Sequence, residues 1–269
     1  MSEIEWTDET WNPVTGCTKI SPGCDNCYAE KIALRFKHNF PKGFEVDLKP
    51  ERLAAPNRWR RPRRIFVNSM SDLFHPEVPF EFIDEILATM NRNPIHDFQV
   101  LTKRPKTARH YWETRRESNL TAKATGWGIG RQTFNSLVIP SNMWLGASVE
   151  NKDTLRQRLA PLLTTPAGIH FLSVEPLLED ITPELVHELN VVSETLKQLP
   201  DWIICGGESG PGAREMKADW ARGVRDVCQH FGIPFFFKQW GGTNKAKAGR
   251  QLDNRFHDDF PLPHPARNR

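Results

Sequence analysis

Six short, almost continuously apolar runs recur along this chain, and they limit the folds open to it more than any other feature. Their starts lie roughly 25 to 45 residues apart, a spacing that fits one strand and one helix per unit. Strands that are apolar throughout are buried on both faces, as in parallel sheets covered by helices. The predicted strands are "RIFVN" (64–68), "FQVLT" (98–102), "MWLGAS" (143–148), "IHFLSV" (169–174), "WIICGG" (202–207) and "PFFFKQ" (234–239).

Amphipathic helices are predicted between these strands, because apolar residues there recur at positions i, i+3, i+4 and i+7. Thr182 followed by Pro183 predicts one more helix start, with Thr182 as the cap. The alternation predicts an α/β chain with parallel strands, either a partial or full TIM-type (βα) barrel or a doubly wound layer. The apolar positions are Ile83, Ile86, Leu87 and Met90, then Leu155, Leu159, Leu162 and Leu163, then Trp220, Val224, Val227, Cys228 and Phe231.

Each predicted strand ends in a group of polar side chains, and this placement favours the barrel. In a parallel barrel the carboxyl ends of all strands meet at one face, where active sites lie. Strand ends are also polar because they meet solvent, so each single group has a simpler explanation. The candidate residues are Asn68, Ser69, Ser71 and Asp72; Thr102, Lys103 and Arg104; Ser148, Glu150 and Asn151; Ser173 and Glu175; Glu208 and Ser209; and Lys238, Gln239 and Trp240.

Three of the five cysteines lie in the segment "GCTKISPGCDNCYAE" (16–30), directly before a predicted helix. Two residues separate Cys24 from Cys27, so both thiolates can face one metal, and Cys17 can reach back across Pro22 and Gly23. A helix N-terminus stabilises thiolate charge. The helix is predicted to bury one stripe, formed by Ala29, Ile32, Ala33, Phe36 and Phe40.

Two metals compete for these thiols, and unmetallated cysteines are a third possibility. Structural zinc takes four protein ligands, but no fourth cysteine lies nearby and His38 falls beyond the first helical turns. A 4Fe-4S cluster held by three cysteines leaves one iron open to bind S-adenosylmethionine (SAM). The ligand count favours the cluster. Cys205 and Cys228 are predicted to be core residues.

Composition points to a cytoplasmic protein without a membrane span. No apolar run approaches roughly 18 residues, and the N-terminal "MSEIEWTDET" lacks the basic and apolar regions of a signal peptide. The net charge of +3 does not by itself indicate a nucleic-acid partner. However, "RWRRPRR" (58–64) holds five arginines, and it is interpreted either as a phosphate-contacting patch or as a solvated lead-in to a strand.

A three-cysteine loop followed by repeated strand and helix units resembles the radical SAM superfamily. More narrowly, the chain is similar to a phage- and bacteria-associated family of uncharacterised, radical-SAM-like proteins with a three-cysteine motif. The common superfamily loop is C-x3-C-x2-C and would place a cysteine at Ile20, so the first gap here departs from it. The matching stretches are "WTDETWNPVTGCTKISPGCDNCYAE", "FVNSMSDLFH", "LTKRP", "LGASVEN", "SVEPLL" and "CGGESG", which span most of the chain from Trp6 to Gly242.

The resemblance implies a 4Fe-4S cluster held by Cys17, Cys24 and Cys27, SAM as a second cofactor, and a reductant such as flavodoxin or ferredoxin. It also implies SAM contacts at the ends of three strands. These cofactor-binding candidates are Ser69, Ser71, Asp72, Ser148, Glu150, Ser173 and Glu175. The catalytic candidates, expected to orient the substrate, are Lys103, Arg104, Glu208, Lys238 and Gln239.

The predicted function is a radical SAM enzyme that cleaves SAM to methionine and a 5'-deoxyadenosyl radical, which abstracts hydrogen from a substrate. Basic groups at the strand ends suit a phosphate or carboxylate, and this favours a nucleotide or nucleic-acid base. The alternative is a nucleic-acid-binding or interaction protein with a structural zinc site. A third reading is a zinc hydrolase or lyase that uses Glu150, Glu175 and Glu208.

The predicted organisation is a single barrel domain over residues 1–242, with the Fe-S loop at 16–30 and an insertion near 118–140. A C-terminal extension or tail is predicted over residues 243–269.

Overall fold

The computed structural model describes residues 4–117 and 139–261 of the chain. The predicted insertion near 118–140 therefore lies, apart from its last two residues, outside the described residues. The chain divides into two compact units. The first comprises Met1–Thr18, Ala29–Leu145 and Thr164–Gly168, and the second comprises Lys19–Tyr28, Gly146–Leu163 and Ile169–Arg269.

Seven strands form the main sheet, and their order across the sheet is their order along the chain. Neighbouring strands pair in parallel in both units. Sequential order is the topology of a (βα) barrel, whereas a doubly wound layer reverses its order at a switch point. The α/β fold with partial TIM-type barrel topology is therefore confirmed. The strands are β1 (Glu9–Trp11), β4 (Arg64–Val67), β5 (Asp97–Thr102), β6 (Met143–Ser148), β7 (Ile169–Val174), β8 (Trp202–Gly206) and β9 (Phe235–Gln239).

All six predicted strands are present, each within one residue of its predicted bounds. The three-residue β1 is too short to stand out as an apolar run. Two further short strands, β2 (Val14–Thr15) and β3 (Asp47–Leu48), pair antiparallel with each other in the first unit.

The three helices predicted from periodicity are present as α2, α4 and α6, and the described residues form four more. The prediction that Thr182 caps a helix is wrong, because Thr182 is already helical and its N–H donates to Asp180 Oδ1 at 2.9 Å. The helices are α1 (Tyr28–Arg35), α2 (Phe80–Arg92), α3 (Pro105–Glu117), α4 (Lys152–Leu163), α5 (Thr182–Thr195), α6 (Ala218–Phe231) and α7 (Lys245–Ala248).

The predicted apolar stripe that begins on α1 is only partly buried. Ala29 and Ala33 are buried as expected, whereas Ile32 and Phe36 are exposed. Within α1, the buried part of the stripe therefore consists of the two alanines. No helix in the described part of the chain is long and apolar enough to span a bilayer.

The core of the second unit is built on the apolar side chains of β7, β8 and β9. Trp202 is fully buried, and Phe260 packs on its ring at a centroid distance of 5.0 Å. The Trp202 indole also donates to the Asp259 carbonyl at 2.8 Å, so part of the 243–269 segment covers this sheet. Cys205 and Cys228 are fully buried, as predicted, and burial raises the pKa of both thiols.

Gly146 of β6, in the second unit, packs so closely against a neighbouring side chain that there is no room for a Cβ. A Cβ at this position would lie 2.3 Å from the ring of the fully buried Phe171. Gly146→Ala is therefore expected to lower the free energy of unfolding by about 1–3 kcal/mol, the usual cost of overpacking. Urea unfolding measures this change. The double variant with Phe171→Leu should recover part of the loss, and an unchanged free energy in Gly146→Ala would contradict the packing.

Candidate functional site

In the first unit, Asp72 is the centre of a buried polar cluster that joins the ends of β4 and β5. Its carboxylate accepts hydrogen bonds from the Thr102 hydroxyl at 2.7 Å and the Lys103 backbone N–H at 3.0 Å. Arg104 Nη1 pairs with it at 3.0 Å, and both charged side chains are less than a tenth exposed, at 8% and 7%. Of the predicted candidates at the ends of these two strands, Asp72, Thr102, Lys103 and Arg104 are thus brought together.

Arg104 extends this cluster to the first cysteine. Its Nη1 donates to Cys17 Sγ at 3.6 Å, and its Nη2 donates to the Thr18 carbonyl and hydroxyl at 3.0 Å each. The Thr18 hydroxyl in turn lies 2.7 Å from His75 Nε2. Burial and the charge of Asp72 raise the pKa of the Cys17 thiol, while Arg104 opposes both effects. A guanidinium directed at a sulfur favours its thiolate form.

Residues after β4 hold the segment that leads to Cys17. The Ser71 hydroxyl donates to the Val14 carbonyl at 2.9 Å, and the Ser69 hydroxyl donates to Asn12 Oδ1 at 3.2 Å. Gly16 forms a parallel bridge with Ser71. Its φ is +85°, and a Cβ would meet a carbonyl oxygen at 1.9 Å, so only glycine fits there. These contacts place Cys17 at the carboxyl end of β4.

In the second unit, Glu150 follows β6 as a fully buried carboxylate under the cysteine segment. Arg158 pairs with it at 3.0 Å and also donates to the Ser148 carbonyl at 2.7 Å. The Ser21 hydroxyl donates to Glu150 Oε1 at 2.9 Å. A Cβ on Gly23 would lie 2.4 Å from Glu150 Cγ, so glycine lets the segment pass directly over this side chain.

Glu208, which follows β8, is a second buried carboxylate against the same segment. Its Oε2 accepts hydrogen bonds from Asn26 Nδ2, Arg214 Nε and the Arg214 backbone N–H, each at 2.9 Å. Arg214 also donates to the Pro22 carbonyl at 2.8 Å and lies 3.3 Å from Asp25. Burial alone would raise the pKa of Glu208, but the Arg214 and Asn26 hydrogen bonds lower it to about 2. The carboxylate is therefore ionised at neutral pH.

Glu175 and Lys238 meet across β8, because Gly206 has no side chain to separate them. Lys238 Nζ lies 3.2 Å from both carboxylate oxygens, and the Ser173 hydroxyl donates to Oε2 at 3.0 Å. A Cβ on Gly206 would lie 2.5 Å from Glu175 Oε1. Both charged side chains keep some exposure, at 19% and 13%, so this pair can contact a bound molecule.

The remaining predicted residues make local contacts at the strand ends. Gln239 Nε2 donates to the Ser209 hydroxyl, and Asn151 Oδ1 accepts the Thr154 N–H at 2.9 Å at the start of α4. Trp240 donates to the Gln251 carbonyl at 2.8 Å. Gln239 is buried, and its Oε1 accepts no hydrogen bond within the described residues.

Cys24 is the last residue of a 3₁₀ turn (Pro22–Cys24), and Cys27 directly precedes α1. The Cys27 N–H donates to the Cys24 carbonyl at 3.3 Å, and the Ser21 hydroxyl lies 3.7 Å from Cys24 Sγ. All five cysteines are free thiols. Across the described ranges, no group of three or more His, Cys, Asp or Glu side chains is arranged to hold a metal ion.

Sequence reasoning missed the residues that hold these carboxylates in place. Arg158 could have been found, because it interrupts the apolar face of α4 between Leu155 and Leu159, where a charge needs a buried partner. Arg214 gave a weaker signal as the one cation in the glycine-rich "GGESGPGAR" (206–214). Three polar residues within the cysteine segment gave no signal, namely Thr18, Ser21 and Asn26.

The arginine run at 58–64 divides into two parts. Arg63 pairs with Glu9, and Arg64 pairs with Asp8 at 3.1 Å, as expected for a lead-in to β4. Arg58, Arg60 and Arg61 are exposed. The pairs made by Arg63 and Arg64 fit the lead-in to a strand, and the phosphate-contacting patch stays a prediction.

The fold and the site together define an α/β protein of partial-barrel topology with ionisable clusters and a cysteine segment at the carboxyl ends of its parallel strands. The chain belongs to the family described as "Protein of unknown function (DUF5131)", which matches residues 1–261. No curated protein matches it.

Solved structures similar to this chain include several of spore photoproduct lyase. One mutant has a TM-score of 0.47 and 11% identity, over 83% of this chain and 60% of that one. A second mutant, with bound AdoMet and dinucleoside spore photoproduct, has a TM-score of 0.46 and 10% identity, over 81% of this chain and 60% of that one. The chain thus spans about 60% of the length of the lyase chains that it resembles.

Proposed function

We propose that this chain is a radical SAM-type enzyme that binds a 4Fe-4S cluster through Cys17, Cys24 and Cys27 and cleaves SAM reductively. The observation that carries the proposal is the anchoring of the cysteine segment in each unit. In the first, Arg104 after β5 donates to Cys17. In the second, the carboxylates after β6 and β8 hold the turn that contains Cys24 and Cys27.

The donor set fits such a cluster in its chemistry. Iron-sulfur clusters take thiolate ligands, and the three cysteines are free thiols in one short segment. The guanidinium directed at Cys17 Sγ supplies positive charge beside one of them. When bound, the cluster supplies the electron that cleaves SAM to methionine and a 5'-deoxyadenosyl radical.

The chain's own groups have distinct proposed roles around the cofactors. Asp72 holds Arg104 in place, so that the guanidinium stays directed at Cys17. Glu175, with Ser173, is proposed to accept hydrogen bonds from SAM, and the remaining cofactor candidates stay proposed SAM contacts. Those candidates are Ser69, Ser71, Ser148 and Glu150.

A nucleotide or nucleic-acid base is the proposed substrate class. Lys103 and Lys238 supply positive charge at the ends of β5 and β9, and ammonium groups bind phosphate as point charges. The unsatisfied Gln239 Oε1 supplies a buried acceptor for an amino or hydroxyl group. A flavodoxin- or ferredoxin-type reductant is the proposed electron donor.

Anaerobic incubation with SAM and a strong reductant, followed by an assay for 5'-deoxyadenosine, tests this function. The reconstituted protein is expected to form the product, and Cys24→Ala is expected to reduce it to background. Cys228→Ala, which removes a core thiol, is the matched control and should retain activity. An iron- and sulfide-loaded protein that forms no 5'-deoxyadenosine would contradict the proposal, as would undiminished product from Cys24→Ala.

A second candidate function, nucleic-acid binding with a structural zinc site, is favoured by the exposed Arg58, Arg60 and Arg61. Each phosphate contact that a cation makes contributes about 0.7–0.9 to the slope of log affinity against log salt. Replacing Arg60 and Arg61 with alanine should therefore lower this slope by about 1.5. Titration of labelled single-stranded DNA at several salt concentrations measures it. Arg63→Ala, whose guanidinium pairs with Glu9, is the control, and an unchanged slope in the double variant would exclude the patch.

A further inference from the structure

We infer that Glu208 and Arg214 are positioning residues that hold the Cys24–Cys27 turn in its native shape before any metal is bound. Their contacts fall on both sides of Cys24. Arg214 donates to the Pro22 carbonyl on one side, at 2.8 Å. On the other side, Asn26 Nδ2 donates to Glu208 Oε2 at 2.9 Å. The turn is therefore bracketed by a protein ion pair.

The ion pair itself is rigidly built. Arg214 reaches Glu208 through two guanidinium nitrogens and its backbone N–H, a bidentate arrangement that fixes geometry as well as charge. The Glu208 carboxylate is 6% exposed, so water competes little for its oxygens. A carboxylate buried to this degree requires its cation. Loss of Arg214 would therefore disturb Glu208 and, through it, Asn26.

The loop that carries Arg214 is folded to bring the guanidinium back to Glu208. Gly210 and Gly212 have φ values of +102° and +79°, which glycine adopts without strain. The Gly212 carbonyl accepts a second hydrogen bond from Asn26, at 3.0 Å. The Gly210 N–H donates to the Gly242 carbonyl at 3.0 Å, so the loop is also tied to the chain beyond β9.

This positioning role concerns the metal-free chain, so its test does not depend on the proposed SAM chemistry. The backbone offers a direct readout, because the Cys24 and Cys27 N–H groups donate within the turn, to the Ser21 and Cys24 carbonyls. An amide that loses such a hydrogen bond exchanges with solvent faster. Exchange at these positions therefore reports the shape of the turn without any activity.

Hydrogen-deuterium exchange on the metal-free full chain, read on peptides covering residues 19–28, tests the inference. Arg214→Ala is expected to raise exchange in these peptides at least tenfold, with little change in peptides from β7 and β9. Alkylation of Cys24, a buried thiol, should accelerate in parallel. Arg214→Lys keeps the charge but loses the bidentate geometry. Its exchange in these peptides should therefore lie between that of the unmodified chain and that of Arg214→Ala. Arg222→Ala, which removes an exposed arginine paired with Asp219 and Asp253, should leave the turn unchanged.

Two results would overturn the inference. One is unchanged exchange in residues 19–28 of Arg214→Ala. The other is an equal rise across all peptides of the second unit, which would show a general stabilising role. If Arg214→Ala does not fold, Glu208→Gln provides the same comparison, because a neutral amide cannot pair with the guanidinium in the same way.

Discussion

Alanine at Cys17, Cys24 or Cys27 is expected to abolish the brown iron-sulfur absorption of protein reconstituted anaerobically with iron and sulfide. The proposed cluster has three protein ligands, so the loss of any one leaves too few thiolates to hold it. The effect should be nearly complete in each single variant. Absorption spectra, together with iron and sulfide content per chain, measure it.

Cys205→Ala and Cys228→Ala are the matched controls for this experiment. Both thiols are fully buried in the core, and their raised pKa values keep them protonated. These variants should bind as much iron as the unmodified chain. Equal loss of iron in all five variants would show that folding, and not ligation, is affected. A colourless protein that contains zinc would favour the structural zinc site.

Replacement of Arg158 with methionine is expected to lower the free energy of unfolding by about 3–5 kcal/mol, the usual cost of leaving a buried charge without its partner. Glu150 and Arg158 are 0% and 6% exposed, so water cannot take over the role of the guanidinium. The Ser21 hydroxyl would still donate to Glu150, but one neutral donor does not balance a buried carboxylate. Urea unfolding followed by circular dichroism measures the change.

A second substitution separates the charge from the packing of Arg158. Adding Glu150→Gln to Arg158→Met removes the unpaired charge and should recover much of the lost stability. Arg156→Met, on the same helix, removes an exposed arginine paired with Glu184 and should change stability little. An Arg158→Met protein as stable as Arg156→Met would contradict the buried ion pair.

The fold was largely predictable from the sequence, because its strands are buried on both faces. A continuous apolar run such as "IHFLSV" (169–174) indicates burial on both faces, and the bounds of this run agree with those of β7. The grouping of polar residues at the strand ends was predictable as well, because the carboxyl ends of parallel strands lie at one face. Asp72 and Arg104, far apart along the chain, form an ion pair there.

The partners of those polar residues were not predictable, because they depend on contacts between distant segments. Arg214 contacts Glu208 and Pro22 because the glycine-rich loop that carries it folds back onto the cysteine segment. The cap of α5 was missed for a local reason. The side chain of Asp180 accepts the N–H of Thr182, the first residue of the helix. Asp and Thr side chains can both accept N–H groups at a helix start, so the sequence does not decide which of the two does so.

Low-temperature electron paramagnetic resonance of the reduced, iron-loaded chain, recorded before and after SAM is added, tests the claim that the chain holds a 4Fe-4S cluster with one iron open to SAM. An iron that lacks a protein ligand is open to SAM, whose binding changes the electronic structure of the cluster. The expected result is a reduced 4Fe-4S signal whose g values shift on addition of SAM and which is missing in Cys24→Ala. A signal unaffected by saturating SAM, or a protein that takes up zinc and shows no cluster signal, would contradict the claim.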